Sequence, residues 1–383
     1  MNLQSFEFAA PGRIAFGRGT RDQIAASTLA FGSKVLLVRG RSVPWVDTLE
    51  NDLRENGGGV TSIFSVGEPT VADVEAALET GRAADVDVVV AVGGGATIDL
   101  GKVVAAMLPA SGTLFDHLEG VGLALPLESS PLPFIAAPTT SGTGAEITKN
   151  TVIAVPTAGR KVSLRDARMV ANLAVVDPAL TDGLPREQTL LSGLDALTQV
   201  IEPYISCRAN LLTDALCRAA IPLGAKALGQ LALGEDRQAR DDMAYVSLSS
   251  GLALANSGLG AVHGLAGVLG GRLCAPHGLI CGRLMGPILE ANKTALKANG
   301  QNIERLDDVA SWLGQGLRLQ TDQVFKVLPR TLDQWHVPRL LAWISNDISL
   351  EEIAEEAAGA SSMKANPCVL STKALVAAMQ LAL

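Results

Sequence analysis

In the stretch 193-GLDALTQVIEPY-204, Asp195 and Gln199 lie four residues apart, close to one above the other if the segment is helical. A carboxylate at i with a second ligand at i+4 is how a helix offers two groups to one metal ion. Glutamine is a weak second member, since its amide oxygen donates far less charge than an imidazole to a borderline metal. Two further segments carry groups suited to anions. In 88-VVVAVGGGATIDLGK-102 an apolar run leads through three glycines into a helical pattern beginning near Thr97. Glycines before a helix let backbone amides approach a phosphate closely. The GxGxxG pattern fails at Ile98 and the Walker pattern fails at Ala96 and Val103, so the turn is of another kind or is a plain glycine-rich turn. The second segment, 136-AAPTTSGTGAE-146, offers hydroxyls from Thr139, Thr140, Ser141 and Thr143, with Gly142 and Gly144 expected to allow unusual backbone angles.

These segments must be held by something. Short β-branched runs at 34–40, 60–66, 86–94, 133–140 and 174–178 alternate with helical patterns at 71–84 and 97–108. Buried apolar strands separated by helices predict parallel pairing and an α/β layered domain. From 185 onward, alanine- and leucine-rich helical spacing replaces the strands, and Pro185 suits a first helical turn. The expected organisation is therefore an α/β dinucleotide-binding domain over 1–185 and an all-helical domain over 186–383, which fits a chain of 383 residues. Turns at the C-terminal ends of strands in one parallel sheet converge on one crevice, so the glycine and threonine turns are expected to serve one ligand.

Composition narrows the function classes. A net charge of −8 and no run of Lys and Arg argue against nucleic-acid binding. The five cysteines, Cys207, Cys217, Cys274, Cys281 and Cys368, carry no CxxC spacing and read as reduced thiols of a cytoplasmic protein, mostly packed as small hydrophobes. The first residues have neither a basic nor an apolar signal region. The apolar stretch 251–271 is long enough to span a bilayer, but its seven glycines, Asn256 and His263 favour a closely packed buried helix.

The run GGGATIDLGK resembles the GGGSxxDxAK motif of the iron-containing (group III) alcohol dehydrogenase family, and PTTSGTGAE resembles that family's PTTxGTGSE. RIAFGRG, VVDP, GLDALTQVIE, AVHGLAGVLGG, APHG and ANP extend the resemblance through nearly the whole chain. It implies a dehydroquinate synthase-like fold with the active site in a cleft between the two domains, and a homodimer. It also implies that Gly93, Gly94, Gly95 and Ala96 touch the cofactor pyrophosphate, that Asp99 lies near the nicotinamide ribose and substrate pocket, that Thr139 and Thr140 bracket the cofactor with Thr143 beside them, and that Lys161 contacts the nicotinamide ribose. From the residues alone, Asp99 could equally be a helix N-terminal carboxylate and Lys161 an ordinary surface amine. Gly40 stands where NAD-preferring members carry an aspartate, and Arg39 and Arg41 flank it, so NADP(H) is favoured over NAD(H).

Members of this family that hold Fe²⁺ or Zn²⁺ use an aspartate, a histidine four residues on, and two later histidines. The resemblance places Asp195, His263 and His277 at three of these positions and Gln199 at the other; a further family histidine, a candidate proton donor, is replaced by Gly267. Three readings follow. Asp195, His263 and His277, with or without Gln199, hold a catalytic metal; or no metal is bound and a keto acid is reduced, as in the maleylacetate reductase branch; or the histidines are merely buried in an inactive relative. The expected reaction is hydride transfer between NAD(P)(H) and a small alcohol/carbonyl pair. A dehydroquinate-synthase-type lyase and a non-catalytic nucleotide-binding protein are the alternatives from other classes.

Overall fold

The computed structural model describes residues 5–273, 275–343 and 348–383. The chain divides into two compact units. One comprises Ala9–Thr140 and Gly144–Asp182; the other comprises Gly183–Leu383 with Ser141–Thr143 and the N-terminal residues through Phe8.

The first unit runs β1 (Arg13–Phe16), α1 (Ile24–Leu29), β2 (Lys34–Arg39), α2 (Trp45–Glu55), β3 (Gly59–Phe64), α3 (Val71–Ala83), β4 (Val88–Gly93), α4 (Gly95–Met107), α5 (Leu114–His117), β5 (Phe134–Pro138), β6 (Asn150–Val155), β7 (Arg160–Arg165) and β8 (Leu173–Val176). Six strands form a sheet in the order β1-β8-β5-β4-β2-β3, with every pair parallel. The expected parallel α/β layer is present. The chain leaves β2 towards β3 on one side and leaves β4 towards β5 on the other. The neighbouring ends of β2 and β4 are therefore the switch point at which open α/β sheets bind ligands.

Gly101 brings α4 onto this sheet, because a Cβ there would lie 2.7 Å from Ala91 Cβ. Two features escape the sequence pattern. Strand β1 is a four-residue edge strand, and β6 and β7 form a separate antiparallel hairpin, with Asn150 opposite Arg165 and its turn at Gly159 (φ 59°).

The second unit runs α6 (Arg186–Ile205), α7 (Leu211–Leu233), α8 (Arg237–Ser257), α9 (Ala261–Leu273), α10 (His277–Ala298), α11 (Glu304–Leu317), α12 (Val324–Gln334), α13 (Leu350–Ala358) and α14 (Thr372–Ala382). Among its described residues there is no strand, as expected. The apolar stretch 251–271 is broken between α8 and α9, which meet at 100°. Among the described residues no single helix is long and apolar enough to cross a membrane.

Helices α6 and α10 approach closely through glycine. A Cβ on Gly278 would lie 2.1 Å from the Leu191 carbonyl oxygen, and one on Gly282 would lie 2.7 Å from Leu194 Cδ1. This spacing brings the first turns of α10 against the middle of α6.

Candidate functional site

At the sheet's switch point, Gly40 follows β2 and its N–H donates to the Val92 carbonyl at 3.0 Å. Thr139 follows β5 and its N–H donates to the Gly93 carbonyl at 2.9 Å. The ends of β2, β4 and β5 thus lie side by side, and α4 begins there. Gly94 sits at its N-terminus with no side-chain cap, so the first amides of the helix, on Gly95 and Ala96, have no cap to accept from them. Gly93 is required by contact: a Cβ would lie 2.5 Å from Thr97 Oγ1. Thr140 is beside Gly94, whose Cβ would lie 3.5 Å from Thr140 Cγ2.

Other expected cofactor residues have protein partners. Asp99, on the second turn of α4, accepts from the Val152 N–H at 3.1 Å. Burial pushes its carboxyl up to about 6. Lys161, on β7, pairs with Glu68 at 2.5 Å. Arg39 is buried and paired with Asp47 at 2.6 Å and Glu50 at 3.1 Å, its guanidinium resting over the Phe64 ring. Of the two arginines read as suited to a phosphate, Arg39 is therefore neutralised within the protein, whereas Arg41 is exposed.

The threonine turn divides. Thr139 and Thr140 belong to the α/β unit and Thr143 to the helical unit. Gly144 has φ 61°, as its type suggested. Gly142 serves instead for close approach: a Cβ there would lie 2.9 Å from Ser192 Cβ on α6.

In the helical unit Asp195, His263 and His277 come together, joined by a residue the motifs did not mark, Cys281. Their four potential ligand atoms all lie within 4.8 Å of one another. Asp195 Oδ1 is 3.4 Å from His263 Nε2 and 3.8 Å from His277 Nε2. Cys281 Sγ is 3.7 Å from His263 Nε2 and 3.5 Å from His277 Nε2. Asp195 Oδ1 is buried and has no hydrogen-bond partner. An ion about 2.0–2.3 Å from each atom in tetrahedral array would set neighbouring ligands roughly 3.3–3.7 Å apart, so these residues fit a divalent metal.

Gln199 is buried on α6, but its Oε1 accepts from Ser250 Oγ at 3.1 Å. His117 and His336 lie elsewhere: His117 Nδ1 meets the Leu125 carbonyl at 2.9 Å, and His336 is exposed at φ 56°. A Cβ added to Gly267 would meet nothing within 4 Å.

A further residue, Glu202, orients the cluster. Its Oε2 lies 2.7 Å from His263 Nδ1 and its Oε1 accepts from the Val262 N–H at 2.7 Å. A carboxylate only accepts, so Nδ1 carries the proton and Nε2 is left facing Asp195 and Cys281. Asn366, in the ANP segment, accepts from the Ala261 N–H at 3.1 Å and so caps α9.

The cluster is electrostatically coupled. Burial pushes the Asp195 carboxyl up, but His277, His263 and Cys281 outweigh it and hold the carboxyl below its ordinary value. His277 is pushed up to about 9, first by Cys281 and then by Asp195, against burial. Burial lowers His263, yet Cys281, Asp195 and Glu202 leave it well above its ordinary value. Of the other cysteines, Cys217 is buried, Cys207 exposed and Cys368 half-buried, none bonded to another; Cys274 lies outside the described residues.

One unit thus offers an uncapped helix N-terminus at a sheet switch point, and the other buries a carboxylate–imidazole–thiol cluster. Comparison with known proteins narrows the class. Residues 11–178 match the iron-containing alcohol dehydrogenase family, and residues 189–383 match the Fe-containing alcohol dehydrogenase family, C-terminal. The chain belongs to the iron-containing alcohol dehydrogenase family.

It is 34% identical over 326 residues to a 1,3-propanediol dehydrogenase of Klebsiella pneumoniae, covering 83% of this chain and 81% of that one. It is 38% identical over 268 residues to long-chain-alcohol dehydrogenase 1 of Geobacillus thermodenitrificans, covering 68% and 67%. A crystal structure of 1,3-propanediol oxidoreductase superposes with a TM-score of 0.89 at 30% identity, covering 99% of this chain and 100% of that one.

Proposed function

We propose that this enzyme interconverts a small alcohol and its aldehyde or ketone by hydride transfer with NAD(P)(H), aided by a divalent metal at Asp195, His263 and His277. The observation that carries the metal reading is the buried, unpartnered Asp195 Oδ1 facing two imidazole nitrogens. An ion held there supplies a Lewis acid to the substrate oxygen. The names of the relatives, propanediol and long-chain-alcohol dehydrogenases among them, support an alcohol as substrate.

The chain's own residues do the positioning. The uncapped amides of Gly95 and Ala96, with Gly93 and Gly94 kept bare for close approach, bind the pyrophosphate. Thr139 and Thr140 flank it. Glu202 holds His263 in the tautomer that leaves Nε2 available. We assign Asp99 to bracing β6 against α4 and Lys161 to its pair with Glu68, rather than to the ribose. Preference for NADP(H) rests on Arg41, with Gly40 removing any carboxylate that would repel a 2′-phosphate.

Following NADPH and NADH consumption with a series of short aldehydes and ketones tests the reading, before and after the metal is stripped and restored. Turnover that needs the metal is expected. Cofactor binding without turnover of any carbonyl would overturn the dehydrogenase assignment, and full activity after complete stripping would overturn the role of the metal.

A further inference from the structure

The cluster contains one residue for which hydride transfer has no evident use. Cys281 is fully buried on α10, one helical turn beyond His277, so the two side chains share a face. Its sulfur lies 3.5 Å from His277 Nε2 and 3.7 Å from His263 Nε2. The position at which an i+4 partner of Asp195 would complete a ligand set holds Gln199, whose side-chain oxygen lies 3.1 Å from Ser250 Oγ.

We propose that Cys281 is a thiolate ligand, giving an Asp195–His263–His277–Cys281 centre that selects zinc or cobalt over iron. The inference rests on the metal reading given above. The i+4 pair that presents two ligands from one helix is then His277 and Cys281 on α10, and Asp195 stands alone on α6. Three observations carry it. Four of the six separations, 3.4–3.8 Å, match the edges of a tetrahedron about an ion bound to nitrogen, oxygen and sulfur, and the other two lie within 4.8 Å. Asp195 Oδ1 is buried, without a hydrogen-bond partner, and turned to the same point. Glu202 orients His263 as outer partners of ligating histidines do.

Binding breaks the S–H bond and forms a sulfur–metal bond, with no oxidation or reduction. The proton passes to solvent, and up to one is released from the thiol for each ion bound. Two consequences follow from charge and softness. A carboxylate and a thiolate together cancel the two positive charges of the ion, so the centre polarises a substrate oxygen less than one carboxylate with three imidazoles would. A thiolate is a soft donor and favours zinc-like ions.

Cobalt reports the ligand directly, because a cobalt–thiolate bond adds a charge-transfer absorption in the near ultraviolet. The full-length enzyme is stripped and titrated with Co²⁺ alone. The expected result is one ion per chain with the thiolate band present, the band absent in Cys281→Ser and retained in Gln199→Ala. Zinc affinity in Cys281→Ser should fall by about a hundredfold or more, since loss of an outer-shell partner alone costs 10–100-fold.

Cobalt bound to the wild type without the band, or a band that survives Cys281→Ser, overturns the thiolate ligand and leaves the metal reading standing. No ion bound at all overturns both. Where Cys281→Ser fails to fold, X-ray absorption of the zinc-loaded wild type decides: one sulfur at about 2.3 Å with the remaining scatterers at about 2.0–2.2 Å is expected. A shell of nitrogen and oxygen only excludes Cys281.

Discussion

Each unit buries a group of ionisable side chains, and the two groups are built on opposite plans. In the α/β unit Lys102 and Glu146 are buried, with Asp99 partly buried beside them. Lys102 Nζ stands 4.0 Å from Asp99 and donates to the carbonyls of Ala145 (2.6 Å) and Asn150 (2.8 Å) and to Thr148 Oγ1 (3.0 Å). The cation is supplied by the chain, and the lysine ties the loop after the threonine turn to α4. In the helical unit Asp195, His263, His277 and Cys281 face one another, and none of the four is a lysine or arginine. Their positive charge must come from protons or from an ion. A buried cluster that contains its own cation holds structure together; one that lacks it is equipped to receive something.

Four changes test that contrast, in descending order of effect. Asp195→Asn should lower kcat/KM by about 10⁴-fold while the protein stays folded, since several kcal/mol of charge stabilisation depend on the metal that Asp195 helps to hold. Steady-state kinetics and metal content measure this; near-normal values for both would remove the helical cluster from the receiving class.

Lys102→Met should act on stability instead. It leaves buried carboxylates without their cation and should cost about 3–5 kcal/mol in urea unfolding. A small loss would mean that the α/β cluster does not depend on its internal charge.

Glu146→Gln sharpens the contrast through pH. Burial raises the Glu146 carboxyl from its ordinary 4.5 to about 7, and its Oε1 has no hydrogen-bond partner. The folded state therefore binds the proton more tightly than the unfolded chain. The stability this group contributes is full below about pH 4.5, declines as pH rises through 7, and is lost above. The glutamine variant does not titrate, so it should gain on the wild type with rising pH, by on the order of 3 kcal/mol once the pH is well above 7. Unfolding at pH 5 and pH 8 measures the difference; a pH-independent gap would contradict the burial of the charge.

Glu202→Gln should have the smallest effect. An amide N–H turned to His263 would force Nδ1 to accept and place the proton on Nε2, weakening zinc or cobalt binding by about 10–100-fold. Unchanged affinity would show that the tautomer of His263 is set elsewhere.

Local rules carried the reading of the sequence where one segment contains the whole signal. The strand β4, its glycines and α4 are contiguous, and so is the helix bearing Asp195. Partners in distant segments left less trace. Cys281 sits in an apolar helical run where a cysteine normally fills space, and only its spacing of four from His277 hinted otherwise. Glu202 lies seven residues beyond Asp195, on the same face of α6, but its partner His263 is on another helix. Arg39 resembled a phosphate ligand because its neutralising carboxylates, Asp47 and Glu50, are close only once α2 has packed on β2. Strand β1 is short and the β6–β7 hairpin carries several polar positions, so neither shows the long continuous apolar run that betrays a buried parallel strand.

Gly278 follows His277 directly, and its Cα faces the carbonyl oxygen of Leu191, one turn before Asp195 on α6. Main chain there rests on main chain, with no side chain between to compress or repack. The gap between imidazole and carboxylate is therefore a caliper with locked jaws. An ion too large or too small for it has to work against that backbone contact. Replacing Gly278 even with alanine would reset the opening without substituting a ligand.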